Sequence, residues 1–445
     1  MFKHQTNMKH LLLVMILGNL LANSVRGQNW TLTTAPTNQD WNSVACSADG
    51  ARVIAVPWQG EIYISTNGGG NWELNFAPDT NASFDSVVSS ADGAKLAALD
   101  GYLGVVYTSA DAGVTWTSNL VSASGLISLL SSADGSKLVA LGWLGAVYTS
   151  HDFGATWNPG TAPSQYATAI ASSADGAKLL LVVAANYNSS EIYRSTNSGA
   201  TWQLTGAPAN VTWSSVCSSA DGAKLAAGAN GGIYTSADSG ITWIAHTQGL
   251  DNYFITPIAS SADGTKLTAV ANFQIYPVGG GNSGYIFVSR DSGVSWVQAP
   301  LPDSEWHSIA SSADGSRLFG TAFDYGSFFP PPEITPGAIY TSQTNFGPLL
   351  NLTNRGNKLV VSWTVPSTNF YLMQNANLDP DGWTYVYPQP TLNLTNLQLE
   401  VPITPTNNQC FYRLFSSSAQ PGVQSVPGTP IIAVPISENL DQSHP

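Results

Sequence analysis

Residues 87–116 read VVSSADGAKLAALDGYLGVVYTSADAGVTW. Two short apolar runs, Val87-Val88 and Leu96 to Leu99, flank an Asp92-Gly93 turn, which is the pattern of a tight β-hairpin. A third run, Val105 to Ser109, leads into Ser109-Ala-Asp111-Ala-Gly113-Val-Thr115-Trp116. In that second turn an Asp side chain can accept backbone N–H bonds, Gly permits positive φ, and Trp buries a large face between sheets. These residue types at this spacing build hairpins and predict three strands and the start of a fourth.

The same stretch recurs along the chain. Ser-Ala-Asp-Gly places its aspartate at Asp49, Asp92, Asp134, Asp175, Asp221, Asp263 and Asp314, a period of about 40 to 50 residues that belongs to propellers. Five residues before each aspartate stands an aliphatic residue, from Val44 to Ile309, and four after it another, from Val53 to Leu318. The second motif returns at Ser150 to Trp157, Ser236 to Trp243 and Ser289 to Trp296, with Asn67 and Asn197 in place of the aspartate in two further copies. Asn makes the same local bond.

The seventh repeat reaches Tyr340-Thr341-Ser342 and then offers no terminal Trp strand. The missing piece lies at the other end, where Asn29-Trp30-Thr-Leu-Thr-Thr-Ala35-Pro36 matches Thr201-Trp202-Gln-Leu-Thr-Gly-Ala207-Pro208. An N-terminal strand completing the last blade would close the ring and remove an exposed sheet edge. The expected fold is therefore all-β: a seven-bladed β-propeller over 28–347, closed by the N-terminal strand.

These motifs resemble the Asp-box, or BNR, repeats shared by sialidases, sortilin-like receptors, xyloglucanases and photosystem assembly factors. The resemblance covers about residues 29 to 347. Beyond Gly347 the repeat is lost, and Lys358–Val365, Phe370–Gln374, Trp383–Tyr387, Leu397–Ile403 and Gln409–Phe415 read as short strands of a small β-sandwich over 348–416. Its Phe411-Tyr412-Arg413-Leu414 ending resembles that of domains that terminate secreted bacterial proteins. Residues 417–445, rich in Ser, Pro and Gly, read as a flexible tail.

Composition narrows the functional classes. With 15 Lys and Arg against 28 Asp and Glu the net charge is −13, which repels nucleic acid and anionic lipid and suits a cationic or neutral partner. Lys3 and Lys9 precede the apolar run Leu11 to Leu21, and Val25-Arg26-Gly27 offers a cleavage point, so 1–27 reads as a secretory signal peptide. No later stretch approaches about 20 apolar residues, so membrane insertion of the mature chain is not expected. A soluble monomer, secreted or in the cell envelope, follows. Cys46, Cys217 and Cys410 read as buried thiols, since Cys46 and Cys217 fall on distant repeats. Six Asn-x-Ser/Thr sequons, at Asn29, Asn81, Asn188, Asn210, Asn351 and Asn393, would be glycan acceptors in a eukaryotic secretory route.

In propellers the loops joining blades, and those between second and third strands, open on one face, and binding residues should be sought there. Trp41, Phe84, Trp213 and Trp306 stand eight residues before a repeat aspartate, in the loop entering the inner strand. Trp58, Tyr102, Trp143, Tyr187, Phe273 and Phe323 follow the second strand in six repeats. Together with Tyr325 in the long loop 322–338, these rings either form a recognition face for an extracellular glycan or protein or pack the channel mouth. The loop 272–285 with Tyr276, and Phe328 and Phe329, would border such a site.

The residues that the repeats leave over argue against catalysis. Sialidases resemble the chain in their Asp boxes, but that family's chemistry needs an arginine triad. Here Arg52, Lys95, Lys137, Lys178, Lys224, Lys266 and Arg317 all occupy one repeat-turn position, leaving only Arg194 and Arg290. Photosystem factors present an arginine-rich patch that this chain lacks, and xyloglucanases pair two propellers over one cleft. The alternative is a single-propeller glycoside hydrolase using a pair among Asp40, Asp85, Glu305 and Asp324, which requires carboxylates about 5 to 9.5 Å apart and one raised pKa. His151, His246 and His307 lie in different repeats without metal-ligand spacing, and the runs Gly68–Gly70 and Gly279–Gly281 lack the strand-to-helix setting of a phosphate loop. No catalytic residue, cofactor or metal is expected.

Overall fold

A computed structural model gives the architecture. It describes residues 30–77, 82–122, 125–163, 166–186, 189–247, 250, 253–273, 284–299, 304–324 and 335–343 of the repeat region. Beyond it the described residues are 351–355, 358–364, 370–375, 384–386, 390–393, 397–403, 409–416 and 432–435. The expected signal peptide, Tyr187, Tyr276, Tyr325, Phe328, Phe329 and the sequons at Asn29, Asn81 and Asn188 lie outside the described residues.

Among the described residues every regular element is a strand. Seven four-stranded antiparallel sheets arise from 30–343, with inner strands beginning at Trp41, Phe84, Leu126, Ala167, Trp213, Tyr253 and Glu305. Six of these blades are consecutive in sequence. The seventh takes three strands from Glu305–Ser311, Arg317–Asp324 and Thr335–Gln343 and its outermost strand from Trp30–Leu32. Trp30 pairs with Ser342 and Leu32 with Tyr340, and Thr33 N–H donates to Ile339 O at 2.9 Å.

A circle of backbone bonds at the axis closes the ring. Each repeat alanine donates its N–H to the carbonyl of the next: Ala48 to Ala91, Ala91 to Ala133, and so on through Ala174, Ala220 and Ala262. The last, Ala313, donates to Ala48 O at 2.8 Å. The repeat cations tie the same turns from outside. Lys95, Lys137, Lys178 and Lys266 reach the carbonyls of Asp134, Asp175, Asp221 and Asp314 at 2.5–3.0 Å, and Arg317 reaches Gly50 O at 3.2 Å. Lys224 reaches Ser292 Oγ at 3.4 Å instead, so five of the seven repeat cations make the carbonyl tie.

The turns are built as their chemistry requires. Ser90 Oγ donates to Asp92 and receives Lys95 N–H, so one hydroxyl and one carboxylate satisfy the hairpin end. In the second turn of the repeat, Asp111 accepts from Ser109 Oγ and Thr115 N, both at 2.8 Å, and from Thr115 Oγ1 at 2.6 Å. Asn67 and Asn197 accept the equivalent backbone N–H from Asn71 and Thr201 at 2.8 and 2.9 Å. The amide therefore does substitute for the carboxylate.

Apolar residues of the inner, second and third strands pack between neighbouring blades in layers such as Ile54, Val56, Ile62, Phe84, Val87 and Ala98. Residues from 351 onward form two further sheets, one from Asn351–Arg355, Lys358–Thr364, Gln398–Ile403 and Thr391–Asn393, the other from Phe370–Asn375, Thr384–Tyr385, Gln409–Ser416 and Ile432–Pro435. Val361, Trp363, Leu372, Val401 and Tyr412 are buried between them. The expected tail is thus interrupted, because Ile432–Pro435 pairs with Gln409–Tyr412 and extends a sheet. Its apolar Ile-Ile-Ala-Val run is short, and the surrounding composition hid it.

Candidate functional site

Aromatics on the loop face fall into two groups. Trp41, Phe84, Trp213 and Trp306 are buried, at 0%, 0%, 3% and 1% exposure, and do not reach the surface. The cause is a β-bulge. In blade 1 the register shifts between Trp41 and Ser43, so that Trp41 lies opposite Pro57 and Val44 opposite Ala55. Two residues apart on the partner strand means the same face, so the extra residue turns Trp41 inward alongside Val44. A one-residue shift occurs in the inner strand of all seven blades, near its start in six of them and between Ile255 and Ile258, inside Tyr253–Ser260, in blade 6.

Once inside, these rings fill the layer between blades. Trp41 donates Nε1–H to Pro36 O at 3.0 Å and meets Tyr63 edge-on at 5.1 Å. Phe84 meets Tyr107, Trp213 meets Tyr234 and Trp243, and Trp306 packs on Trp30 and Tyr340 across the closing strand. These four are packing residues, which corrects the expectation that they line a face.

The second group is divided differently. Trp58, Tyr102 and Trp143 sit at the tip between second and third strands of blades 1, 2 and 3 and are 52%, 76% and 61% exposed. Leu103 and Leu144 beside them are exposed as well. Phe273 ends the strand Leu267–Phe273, and Phe323 lies within Arg317–Asp324. Tyr166, exposed just before the inner strand of blade 4, extends the apolar tips by one position. Sequence reasoning missed Tyr166 because the search took one fixed offset from the repeat aspartate, and Tyr166 stands one residue earlier. The outcome is an aromatic arc over three successive blades.

Two carboxylates support the middle of this arc. Asp100 is fully buried; its Oδ1 accepts from Leu103 N at 2.8 Å and its Oδ2 from Ser83 N at 3.2 Å. Asp85 Oδ2 accepts Gly101 N–H at 2.9 Å. Burial, with the nearby Asp100 charge adding to it, pushes the Asp85 carboxyl up to about 6 despite that hydrogen bond. The pair clamps the backbone of the Tyr102 tip. Asp40 is exposed beside Trp58, whose N–H donates to Asp40 O at 2.8 Å. Glu305 and Asp324 belong to blade 7 strands.

At the opposite end of the ring the channel holds a cavity of about 200 Å³ lined by Cys46, Ser89, Ser131, Ser172, Ser218, Ser260 and Ser311 together with the repeat alanines. Leu397 of the sandwich domain also lines it, and Ala48, Ala262 and Ala313 pack with the sandwich core. Cys46 and Cys217 carry free thiols, both pushed up to about 12 by burial, and Cys217 packs between blades 5 and 6 rather than on the channel. Among the described residues no cluster of three His, Cys, Asp or Glu has metal-binding geometry, and no helix is long and apolar enough to cross a membrane.

No protein-family model matches the sequence, and no curated protein matches it. Solved structures do. YCF48 bound to a D1 peptide aligns with a TM-score of 0.54 at 14% identity over 72% of this chain and 96% of that one. YCF48 from Cyanidioschyzon merolae gives 0.52 at 15% identity over 71% and 98%. The GH74 xyloglucanase from Xanthomonas campestris gives 0.50 at 14% over 76% of this chain and 59% of its own. What the chain shares with these proteins is the β-propeller fold.

Proposed function

We propose that the chain is an extracellular or cell-envelope Asp-box propeller that binds a protein partner without catalysis, through Trp58, Tyr102 and Trp143. The carrying observation is that these three rings are at least half exposed on adjacent blades while their neighbours Trp41 and Phe84 are fully buried. Exposed aromatics grouped on one face supply rigid contact area at low entropic cost. Protein is favoured over glycan because Leu103 and Leu144 add aliphatic side chains that sugar stacking does not use. A scaffold of interlocked hairpins suits a rigid display surface.

The glycosidase reading needs a carboxylate free to attack or to activate water. Asp85 has the raised pKa of a general acid, but its Oδ2 accepts Gly101 N–H, its neighbour Asp100 is buried with both oxygens taken by backbone N–H groups, and the candidates Glu305 and Asp324 belong to blade 7 rather than to its own blade. Peptide display and a glycan array, each run on the wild type and on the variant with Trp58, Tyr102 and Trp143 all changed to Ala, test the proposal. Peptides retained by the wild type and lost by the triple variant are expected. Retention confined to the glycan array, turnover of a glycan, or equal retention by both proteins would overturn it.

A further inference from the structure

Positive charge is segregated to one end of the ring. Of the nine Lys and Arg between 28 and 347, seven stand three residues after a repeat aspartate, and Arg194 and Arg290 adjoin the Asp-box serines Ser195 and Ser289. All nine therefore lie at the turn end of the blades, where several are held by carbonyls, as Lys137 Nζ is by Asp175 O at 2.8 Å and Arg194 by Ser239 O at 2.8 Å. The segments joining the blades contain no Lys or Arg. Acids stand at the loop end instead: Asp40, Glu61, Asp85 and Asp100 in blades 1 and 2, Glu191 in blade 4, and Glu305 and Asp324 in blade 7. Beside the exposed arc Asp40 is exposed and Glu61 partly buried, while Asp100 is buried and adds no surface charge.

An acidic surface without counter-cations, bearing exposed Trp and Tyr faces, favours a ligand that is both cationic and apolar. Ring faces attract ammonium and guanidinium groups, and the summed negative field draws them in. We infer that the partner presents a segment in which Lys or Arg alternates with apolar residues, its cations on Asp40, Glu61 and the rings and its apolar residues on Leu103 and Leu144. This rests on the reading of the arc as the binding surface. An acidic segment would meet like charge with nothing to neutralise it.

The test uses the full chain and three synthetic twelve-residue peptides built on Arg-Gly-Leu, Glu-Gly-Leu and Ser-Gly-Leu repeats, with affinity read by fluorescence anisotropy. The Arg peptide is expected to bind, and raising NaCl from about 20 to about 300 mM should weaken it roughly tenfold by screening. Substituting Asp40→Lys with Glu61→Lys should weaken it about tenfold at low salt. Glu73→Lys, an exposed change at the other end of blade 1, should leave it unaltered. Absence of Arg-peptide binding at low salt, or equal loss from Glu73→Lys, overturns the inference. Equal binding of the Arg and Glu peptides, both lost in the triple aromatic variant, overturns the charge preference and leaves the arc standing. Arg-peptide binding that survives the triple variant overturns the arc itself.

Discussion

Trp41 and Trp58 lie in the same blade, separated by one hairpin, and the structure assigns them opposite roles. Replacing Trp41 by Ala removes a fully buried indole, at about 3 to 5 kcal/mol for the lost burial and residual cavity. It also orphans Pro36 O, the acceptor of Nε1–H at 3.0 Å, and dissolves the edge-on contact with Tyr63. A total of about 4 kcal/mol lowers the melting temperature by about 6 °C for a cooperative unit of roughly 300 residues. Trp58→Ala truncates a ring that is already 52% exposed and should stay within about 0.5 kcal/mol, or under about 1 °C. Differential scanning calorimetry of both variants beside the wild type decides the matter. Equal shifts, or a larger one for Trp58→Ala, would refute the division of the aromatics into packing and surface groups.

Asp85→Asn should stabilise the protein at pH 7 to 8 and make no difference near pH 3. The folded pKa is raised from 3.8 to about 6, so ionisation costs stability as pH rises through that window. That rise corresponds to about 3 kcal/mol, reduced to about 1 kcal/mol by solvent at a partly exposed carboxylate; urea unfolding at the two pH values checks it. Gly93→Ala should cost about 2 kcal/mol, because Gly93 has φ +69° and an added Cβ would sit 2.6 Å from Arg52 Cδ. Gly125→Ala, with φ +79° and open space around it, should cost about 1 kcal/mol, and thermal melts of the two isolate the steric part. Asp111→Asn should melt close to the wild type while Asp111→Ala melts lower, since only the amide keeps the acceptor for Thr115 N–H.

The repeat architecture was legible because its turns are chemical necessities. An Asp-Gly hairpin, a Ser-x-Asp-x-Gly box and an alternating strand leave few alternatives, and the orphaned Trp30 strand had one place to go. Direction was harder to read for the inner strands. A fixed offset from the aspartate located Trp41 and Phe84, but whether position −8 points out or in depends on a bulge, a pairing feature that no residue at that place announces. Trp58, Tyr102 and Trp143 stand at tips, where a two-strand turn exposes its apex, whereas Phe273 and Phe323, read at the same place, lie within strands that run longer in blades 6 and 7. Asp100 escaped notice because an acid at a strand end reads as solvated, and only the folded loop shows it capping two backbone amides. Asn351–Arg355, Thr391–Asn393 and Ile432–Pro435 were missed in the sandwich, being short and polar or set in Pro-rich surroundings.

Everything depends on the ring being closed by the first strand. Hydrogen exchange across residues 30–33 measures this directly, because Thr33 N–H is bonded to Ile339 O and the strand pairs with Tyr340–Ser342. The expected result is protection of the Thr31 and Thr33 amides, the alternate N–H groups of this edge strand that face its partner, together with those of 338–342. Exchange of residues 30–33 at the rate of an unstructured peptide, with the rest of the ring protected, would contradict it.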